Sequence, residues 1–254
     1  MGAAVSGRSS GFVDHVIRLM ERVEHRIART EEEREAAYRL RYEAYQRNGL
    51  LKTDTGGQLY DPLYDDAPHA WIATTFVDGE LAGTLRISLG VGKDAEFASF
   101  HVFPDTIGPR VLSGQVIVEY TRLAARLAVS ACHPELPYIL MRPGYMALDH
   151  FRADLALFTP RIEHVAFYRR VFGARVWCPS RDYPGLTGKF SCVAFDFQAM
   201  QKSIESRYPF FKSSPAEREA LFGPRSVVLG KLPVHSSKGR VIQASTESEY
   251  AKLT

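Results

Sequence analysis

The 254-residue chain has only three cysteines, and none of them belongs to a C-x-x-C pair. This count argues against a disulfide framework or a zinc knuckle and is typical of a reducing compartment. No apolar run approaches the length of a bilayer-spanning helix, and the first residues lack the apolar core of a signal peptide. We therefore expect a cytoplasmic protein without an integral membrane segment.

A large excess of charge is also missing. The chain carries 32 lysines and arginines against 29 aspartates and glutamates, a net charge of +3. That balance is too mild to indicate a nucleic-acid partner, and the aromatic residues do not alternate with basic ones as they do in single-strand binding platforms. With 45% hydrophobic and 24% charged residues, the composition is that of an ordinary globular protein large enough to bury a core.

Several common functional motifs are absent. The sequence contains no G-x-x-x-x-G-K-S/T, no G-x-G-x-x-G after a strand, no H-E-x-x-H and no G-x-S-x-G. These absences exclude a P-loop, a dinucleotide-binding fingerprint, a zinc protease of the usual kind and a serine hydrolase elbow. The eight histidines show no spacing typical of metal ligands. We expect neither a bound metal nor a bound organic cofactor.

Hydrophobic periodicity predicts a mixed α/β protein. Strands are predicted at 23–29, 70–77, 80–88, 116–121, 155–159, 174–178 and 190–197. Helices are predicted at 12–20, 30–48, 143–151 and 164–172, followed by two short ones. The segment 89–114 is predicted to be a long irregular loop. This order favours a mixed sheet with helices on both faces.

The same pattern predicts a single main domain. We expect an N-terminal extension with a short helix at 1–22, a main α/β domain at 23–223, and a mobile tail rich in serine, lysine and threonine at 224–254.

The most informative stretch is VIVEYTRLAARLA, residues 116–128, which is predicted to be an apolar strand running directly into an amphipathic helix. Alternation places Glu119 on the same face as Ile117 and Thr121. A carboxylate inside an apolar strand is costly to bury unless it is paired or hydrogen-bonded. Arg122 leaves two interpretations open: a structural ion pair with Glu119, or two functional groups beside a substrate.

Short motifs along the chain then resemble a known group of enzymes. Y-R-L-R-Y-E-A-Y, Y-D, H-A-W-I-A, G-T-L-R-I and V-E-Y-T-R-L-A follow the order seen in acyl-homoserine-lactone synthases and their relatives. F-P-D-T-I-G-P, H-V-A-F-Y-R-R-V-F-G-A-R and Y-P-G-L are more similar to the long-chain N-acyl amino acid synthases. The resemblance covers roughly residues 25 to 200. It implies a GNAT-like (acyl-CoA N-acyltransferase) fold with a mostly antiparallel, twisted sheet, and an N-acyltransferase activity.

The resemblance also implies a role for each matching residue. Glu119 corresponds to the general base that acts on the acceptor amine, and positioned bases typically accelerate reactions by about 10²–10⁴-fold. Arg122 and Arg86 correspond to arginines that pair with acidic residues and shape the acceptor pocket, where an arginine can hold a carboxylate through two hydrogen bonds.

The remaining matches concern the substrate pocket. Asp65 and Asp61 correspond to the acids of the Y-D segment, and Arg41 to the helix arginine of the same charge network. The acyl chain is expected in an apolar tunnel between the sheet and the helices, lined by Phe100, Phe103 and Met146.

The expected acyl donor is an acyl carrier protein thioester, with acyl coenzyme A as the alternative. The R-x-x-G-x-G/A loop that grips the coenzyme A pyrophosphate is missing after the central strand, where SACHPELPY stands instead. Because the carrier protein is acidic, a basic patch is expected near the tunnel mouth. The candidates for this patch are Arg142, Arg152, Arg161, Arg169 and Arg170.

We therefore predict transfer of a fatty acyl group from acyl carrier protein to the amine of an amino acid. Three alternatives stay open: an acyl-homoserine-lactone synthase using S-adenosylmethionine, a coenzyme A-dependent acetyltransferase of small amines, and a non-catalytic acyl-binding or sensor domain. The lactone synthases carry a tryptophan after the R-Y-E helix, and residues 46–59 contain none. The amino acid acylated, the acyl chain length and the oligomeric state are not determined by the sequence.

Overall fold

A computed structural model describes residues 4–91 and 97–225, with side chains from residue 11 onward. The strands are β1 (Val23–Ile27), β2 (Ala70–Val77), β3 (Glu80–Val91), β4 (Val116–Ala125), β5 (Leu155–Phe158), β6 (Arg175–Val176), β7 (Arg181–Asp182), β8 (Lys189–Phe190) and β9 (Val193–Asp196). In this part of the chain, seven strands form one sheet in the order β1-β2-β3-β4-β5-β9-β6. Neighbouring strands are antiparallel except β4 and β5, which are parallel. The predicted mixed, mostly antiparallel sheet is confirmed.

Helices flank this sheet on both faces. They are α1 (Ala4–Met20), α2 (Glu31–Arg47), α3 (Pro62–Asp65), α4 (Ala98–Val102), α5 (Pro104–Leu112), α6 (Leu127–Cys132), α7 (Leu136–Phe151), α8 (Val165–Phe172), α9 (Phe197–Arg207) and α10 (Pro215–Phe222). None of the helices in the described ranges is long and apolar enough to cross a membrane.

Short-range signals in the sequence are confirmed where they concern helix starts and tight turns. Thr30 and Glu33 form a capping box at the start of α2, and Ser214 and Glu217 form another at α10. The hairpin between β2 and β3 turns at Asp78-Gly79, where both residues have a positive φ.

Three predicted segments are corrected. The central strand does not give way to a helix after residue 121, because β4 continues pairing with β3 as far as Ala125. Helix α7 begins at Leu136 and not at Pro143, which lies inside the helix. The proline of the first turn, where proline is tolerated best, is Pro137. Helices α4 and α5 occupy much of the predicted loop 89–114, but they are too short to produce a clear helical period.

The N-terminal helix packs against the main body of the protein. Val16 and Leu19 of α1 are buried in the main core. At the other end, the predicted tail at 224–254 lies outside the described residues apart from its first two positions.

The sheet face covered by α7, which we call the α7 face, carries the main apolar core. Strand residues such as Ile87, Val118 and Phe158 pack there against α7, α8 and α9. Aromatic rings are frequent, and Phe172 stacks on Phe195 with ring centroids 5.4 Å apart. This face buries a contiguous apolar surface and supplies most of the hydrophobic stabilisation.

The opposite face, which we call the α2 face, is covered by α2, α4 and α5. Its apolar clusters are smaller, and Arg86, Ser88 and Glu119 are buried among them. Buried polar groups on one face of two neighbouring strands require partners that only tertiary contacts can supply.

Candidate active site

A β-bulge in β4 opens the sheet next to the polar residues. Thr84 pairs with Ala124 and Arg86 with Thr121, so two residues of β4 stand opposite one residue of β3. Arg122 lies in this bulge with a φ of 54°. Such a bulge bends its strand. The parallel ladder between β4 and β5 ends at Tyr120 and Phe158, so β4 continues without β5 beside it.

The gap between the separated strands is a cavity of about 430 Å³. This volume lies within the range of small-molecule sites in proteins. Residues 120–125 of β4 form one wall, and Thr159 and Pro160 beyond β5 form another. The far end is lined by side chains of α2, α8 and the β7–β8 segment, and these are Tyr45, Phe167, Tyr168, Tyr183 and Phe190. The backbone N–H groups on this edge of β4 have no β5 partner, so they can act as hydrogen-bond donors to a ligand.

Glu119 is fully buried on the α2 face, directly before the cavity wall formed by residues 120–125. Its Oε1 accepts hydrogen bonds from the backbone N–H of Ser99, at 2.6 Å, and from the Ser99 hydroxyl. Its Oε2 has no partner among the described residues. One oxygen is therefore fixed by α4, while the other is available for a proton or a ligand. Glu119 itself does not line the cavity.

Buried arginines and an aspartate form a network beside Glu119. Asp65 Oδ1 accepts from Arg41 Nη1 at 2.9 Å and from Arg86 Nη1 at 3.4 Å, and all three side chains are fully buried. Arg86 Nε donates to Thr121 Oγ1 at 3.0 Å. Burial alone would raise the pKa of the Asp65 carboxyl, but the two guanidiniums outweigh it and hold this pKa below its usual value. Asp65 is consequently charged at neutral pH and neutralises part of the arginine charge.

Arg122 does not form the ion pair with Glu119 that its spacing suggested. Its Nη2 lies 3.5 Å from Asp61 Oδ2, and no ion pair joins it to Glu119 within the described chain. The positive φ at Arg122 interrupts the strand alternation on which a simple i, i+3 expectation depends. Instead, Arg122 is one of the residues that line the cavity.

The structure places the predicted tunnel residues in packed cores. Phe103 is buried in a cluster between the sheet and helices α4 and α5, and Phe100 packs against the same cluster. Met146 lies in the main core on the α7 face, where its sulfur is 3.2 Å from Arg142 Nη1. None of the three lines the 430 Å³ cavity.

One member of the predicted basic patch is also located elsewhere. Arg142 is buried, and its guanidinium donates to the carbonyls of Phe210 and Lys212 and to Glu217. Arg161 does line the cavity, together with Arg47 and His164, which sequence reasoning did not single out.

Sequence reasoning missed two further groups of the site. Ser99 holds Glu119 but comes from a helix that was predicted to be a loop. Tyr183 was quoted within the Y-P-G-L motif, yet nothing in its spacing indicated that it would line the cavity.

Comparison with protein families identifies the chain. The family model described as N-acyl amino acid synthase FeeM matches residues 36–196, which is well over half of the chain. The protein belongs to this family. It is thus an N-acyltransferase. A comparison with curated protein sequences found no significant match.

Solved structures of related enzymes share the fold. FeeM, an N-acyl amino acid synthase from uncultured soil microbes, superposes with a TM-score of 0.62 at 17% identity, over 74% of this chain and 98% of FeeM. The acyl-homoserine-lactone synthase LasI gives 0.53 at 13% identity, over 72% and 95%. The coenzyme A-dependent lactone synthase BjaI, determined with MTA, gives 0.53 at 14%, over 73% and 90%. The GNAT-like architecture predicted from the sequence motifs is confirmed.

Proposed function

We propose that this N-acyltransferase moves a fatty acyl group from an acyl carrier protein thioester to the amine of an amino acid. The observation that carries the proposal is the cavity between β4 and β5 with Arg122 in its wall. Thr121 lines the cavity and accepts a hydrogen bond from Arg86 of the buried network, and Glu119 lies two residues before Thr121 on the same strand.

The cavity suits the thioester donor for two reasons. Its walls combine aromatic and aliphatic side chains, such as Phe167 and Leu123, with the unpaired edge of β4. An acyl chain is favoured by apolar walls, and the carbonyl oxygen can accept hydrogen bonds from backbone N–H groups as negative charge develops on it.

The α2 face suits a zwitterionic acceptor. Arg86 and Arg122 have Asp61 and Asp65 as partners, and Arg41 adds a third guanidinium, so the arginines exceed the aspartates by one. Arg122 makes only a long contact with Asp61, so an incoming carboxylate can bind its guanidinium.

Glu119 completes the proposed chemistry. Because Glu119 does not itself line the cavity, its free Oε2 takes the proton of the acceptor ammonium through an intervening water, which makes the nitrogen nucleophilic. The amine then attacks the thioester carbonyl, the C–N bond forms, and the C–S bond breaks to release the carrier thiol.

A carrier-protein donor is supported by the segment after β4. Helix α6 occupies the place of a glycine-rich loop, and α7 starts without a side-chain cap and with Pro137 in its first turn, which removes one backbone donor. This leaves fewer N–H groups for a pyrophosphate. Arg47, Arg161 and His164 at the cavity suit an acidic protein partner.

Product analysis tests the proposal. The purified protein is incubated with acyl carrier protein or coenzyme A thioesters of one chain length, together with a mixture of amino acids or S-adenosylmethionine. We expect an N-acyl amino acid by mass spectrometry, with the higher kcat/KM for the carrier-protein donor. An acyl lactone would make the protein a lactone synthase, preference for coenzyme A would overturn the donor assignment, and no thiol release would indicate a binding domain.

A charge reversal tests the carrier-protein surface separately. Arg47→Glu should raise the KM for acyl carrier protein while leaving the KM for free acyl-pantetheine unchanged, because only the protein donor presents an acidic surface. Arg18→Glu, at an exposed position of α1 away from the cavity, is the matched control. Equal KM changes with both donors would show that Arg47 contacts the pantetheine rather than the protein.

A further inference from the structure

A second cavity lies towards the other end of β4. Its volume is about 290 Å³, close to the lower limit for small-molecule sites. Gln115, which lines it, directly precedes β4, and Thr121 of the first cavity is six residues further along, about 20 Å in an extended strand. The two cavities share no lining residue. The proposed acyl transfer therefore leaves the second cavity without a role.

The walls of the second cavity are joined to the sheet and to α5. Trp177 N donates to Cys192 O at 2.9 Å, and the partly buried Trp177 ring packs against the apolar cluster between the sheet and α5. Gln115 N donates to Arg110 O at 3.4 Å, which connects the start of β4 to the end of α5. These contacts hold the polar side chains of the wall beside the indole.

The charged side chains of this wall favour an anion. Arg110 and Arg175 both line the cavity, and neither forms an ion pair with another residue in the described ranges. Arg110 Cζ lies 5.3 Å from the centroid of the Trp177 ring. The acid among the described lining residues is Asp196, whose Oδ1 accepts from Ala199 N at 2.8 Å at the start of α9. Two arginines and one aspartate leave one positive charge, which a monoanion neutralises.

Two uncharged groups narrow the ligand further. The Trp177 indole gives the wall a flat apolar surface, against which an aromatic ring packs favourably. Gln115 Oε1 is buried and has no hydrogen-bond partner among the described residues. Because buried polar atoms normally have a partner, this wall favours an occupant that brings a hydrogen-bond donor.

We propose that the second cavity binds a small aromatic carboxylate that carries a hydroxyl or N–H group. Arg110 and Arg175 hold the carboxylate, Trp177 packs against the ring, and Gln115 Oε1 accepts the hydrogen bond of the donor group. The site is separate from the acyl-transfer cavity, so this inference does not depend on the proposed reaction.

Calorimetric titration with p-hydroxyphenylacetate tests the site, and three matched probes each remove one feature. Tyrosol lacks the negative charge, hydroxycyclohexylacetate lacks the aromatic ring, and phenylacetate lacks the donor. We expect the Kd to rise at least about tenfold for tyrosol and about threefold to tenfold for each of the other two. Equal Kd values for all four compounds would overturn the proposal, and tighter binding of adenosine monophosphate would overturn the carboxylate assignment.

Variants locate the binding. Arg175→Gln should raise the Kd for p-hydroxyphenylacetate about tenfold and leave the Kd for tyrosol unchanged, whereas Arg18→Gln, at an exposed position of α1 away from the cavity, should change neither. Because the chain has two tryptophans, Trp71→Phe leaves Trp177 as the one fluorescent indole, and its emission should change as the ligand saturates.

The site assignment fails if p-hydroxyphenylacetate gives neither binding heat nor a change in Trp177 emission, or if Arg175→Gln binds it as tightly as wild type. Binding is measured without an acyl donor, so either result leaves the acyl-transfer assay to be judged on its own.

Discussion

The α7 face and the α2 face are built from the same strands, yet consecutive residues have opposite environments. On β3, Ile87 packs into the aromatic core while its neighbour Arg86 is buried in a charged network. On β4, Tyr120 packs against α7 while Glu119 bonds to Ser99. The first face depends on shape and apolar area, and the second depends on specific polar partners. Changes on the two faces should therefore affect different properties.

The largest effect is expected for Glu119→Gln on the α2 face. The amide can still accept the Ser99 hydrogen bonds, so the protein should fold, but it cannot take a proton from the acceptor. We expect kcat to fall by about 10²–10⁴-fold with unchanged urea denaturation. Full activity in this variant would mean that another group acts as the base.

The next effect concerns stability on the same face. Asp65→Asn leaves Arg41 buried without an anionic partner and leaves Arg86 with only a 3.9 Å contact to Asp61. Breaking such a buried pair typically costs about 3–5 kcal/mol of unfolding free energy. Asp66→Asn is the matched control, since its partly exposed ion pair with Arg34 should contribute less than about 1 kcal/mol. Both unfolding free energies are measured by urea denaturation. Similar decreases in the two variants would contradict the expectation that the buried ion pair contributes more to stability than the exposed one.

The pH dependence of the same variant sharpens this point. The pKa of Asp65 is lower in the folded than in the unfolded protein. Its contribution to the unfolding free energy is therefore fully present above the unfolded-state pKa of about 3.9, and it is lost as the pH falls through the lower folded-state pKa. The difference in unfolding free energy between wild type and Asp65→Asn should be constant from neutral pH to about pH 5 and should decline below about pH 4. A difference that grows on acidification would require another titrating group.

On the α7 face, close packing should dominate. A Cβ on Gly144 would lie 2.1 Å from Tyr120 Cε1, and that ring also packs on Phe158. Gly144→Ala should lower stability by about 1–3 kcal/mol despite the better helix propensity of alanine. Gly11→Ala in α1, where nothing lies within 4 Å, should instead be neutral or slightly stabilising. Calorimetric melting of the two variants gives the comparison directly.

The smallest effect concerns the bulge where both faces meet the cavity. Arg122→Ala and Arg122→Gly remove the same guanidinium, and both should raise the KM for the acceptor. At a φ of 54°, glycine should be more stable than alanine by about 1 kcal/mol. Equal stabilities would indicate that β4 loses its bulge when the arginine is removed.

Much of the fold was predictable because its signals are local. The capping box at Thr30 and the turn at Asp78-Gly79 depend on residues within a few positions of each other. The helix predicted after residue 121 was wrong because L-A-A-R-L-A has good helix formers, while pairing of β4 with β3 as far as Ala125 outweighs that propensity.

The site was only partly predictable. Glu119 was singled out because an acid in an apolar strand is unusual, and the structure brings Arg41, Asp65 and Arg86 together beside it. Phe100 and Phe103 were expected to line a tunnel, but an apolar residue can pack into a core as readily as it can line a cavity, and the sequence does not distinguish the two.

By itself, the sequence determined most of the order of helices and strands, the alternation that buries Glu119, and membership of the acyltransferase group. The tertiary structure decided which charges meet: Asp65 pairs with arginines 24 and 21 positions away in the chain. It also decided where the cavity lies, because β5 stops pairing with β4 at Phe158 while β4 continues. Periodicity is a property of neighbouring residues, whereas ion pairs and strand separation depend on distances between residues far apart in the sequence.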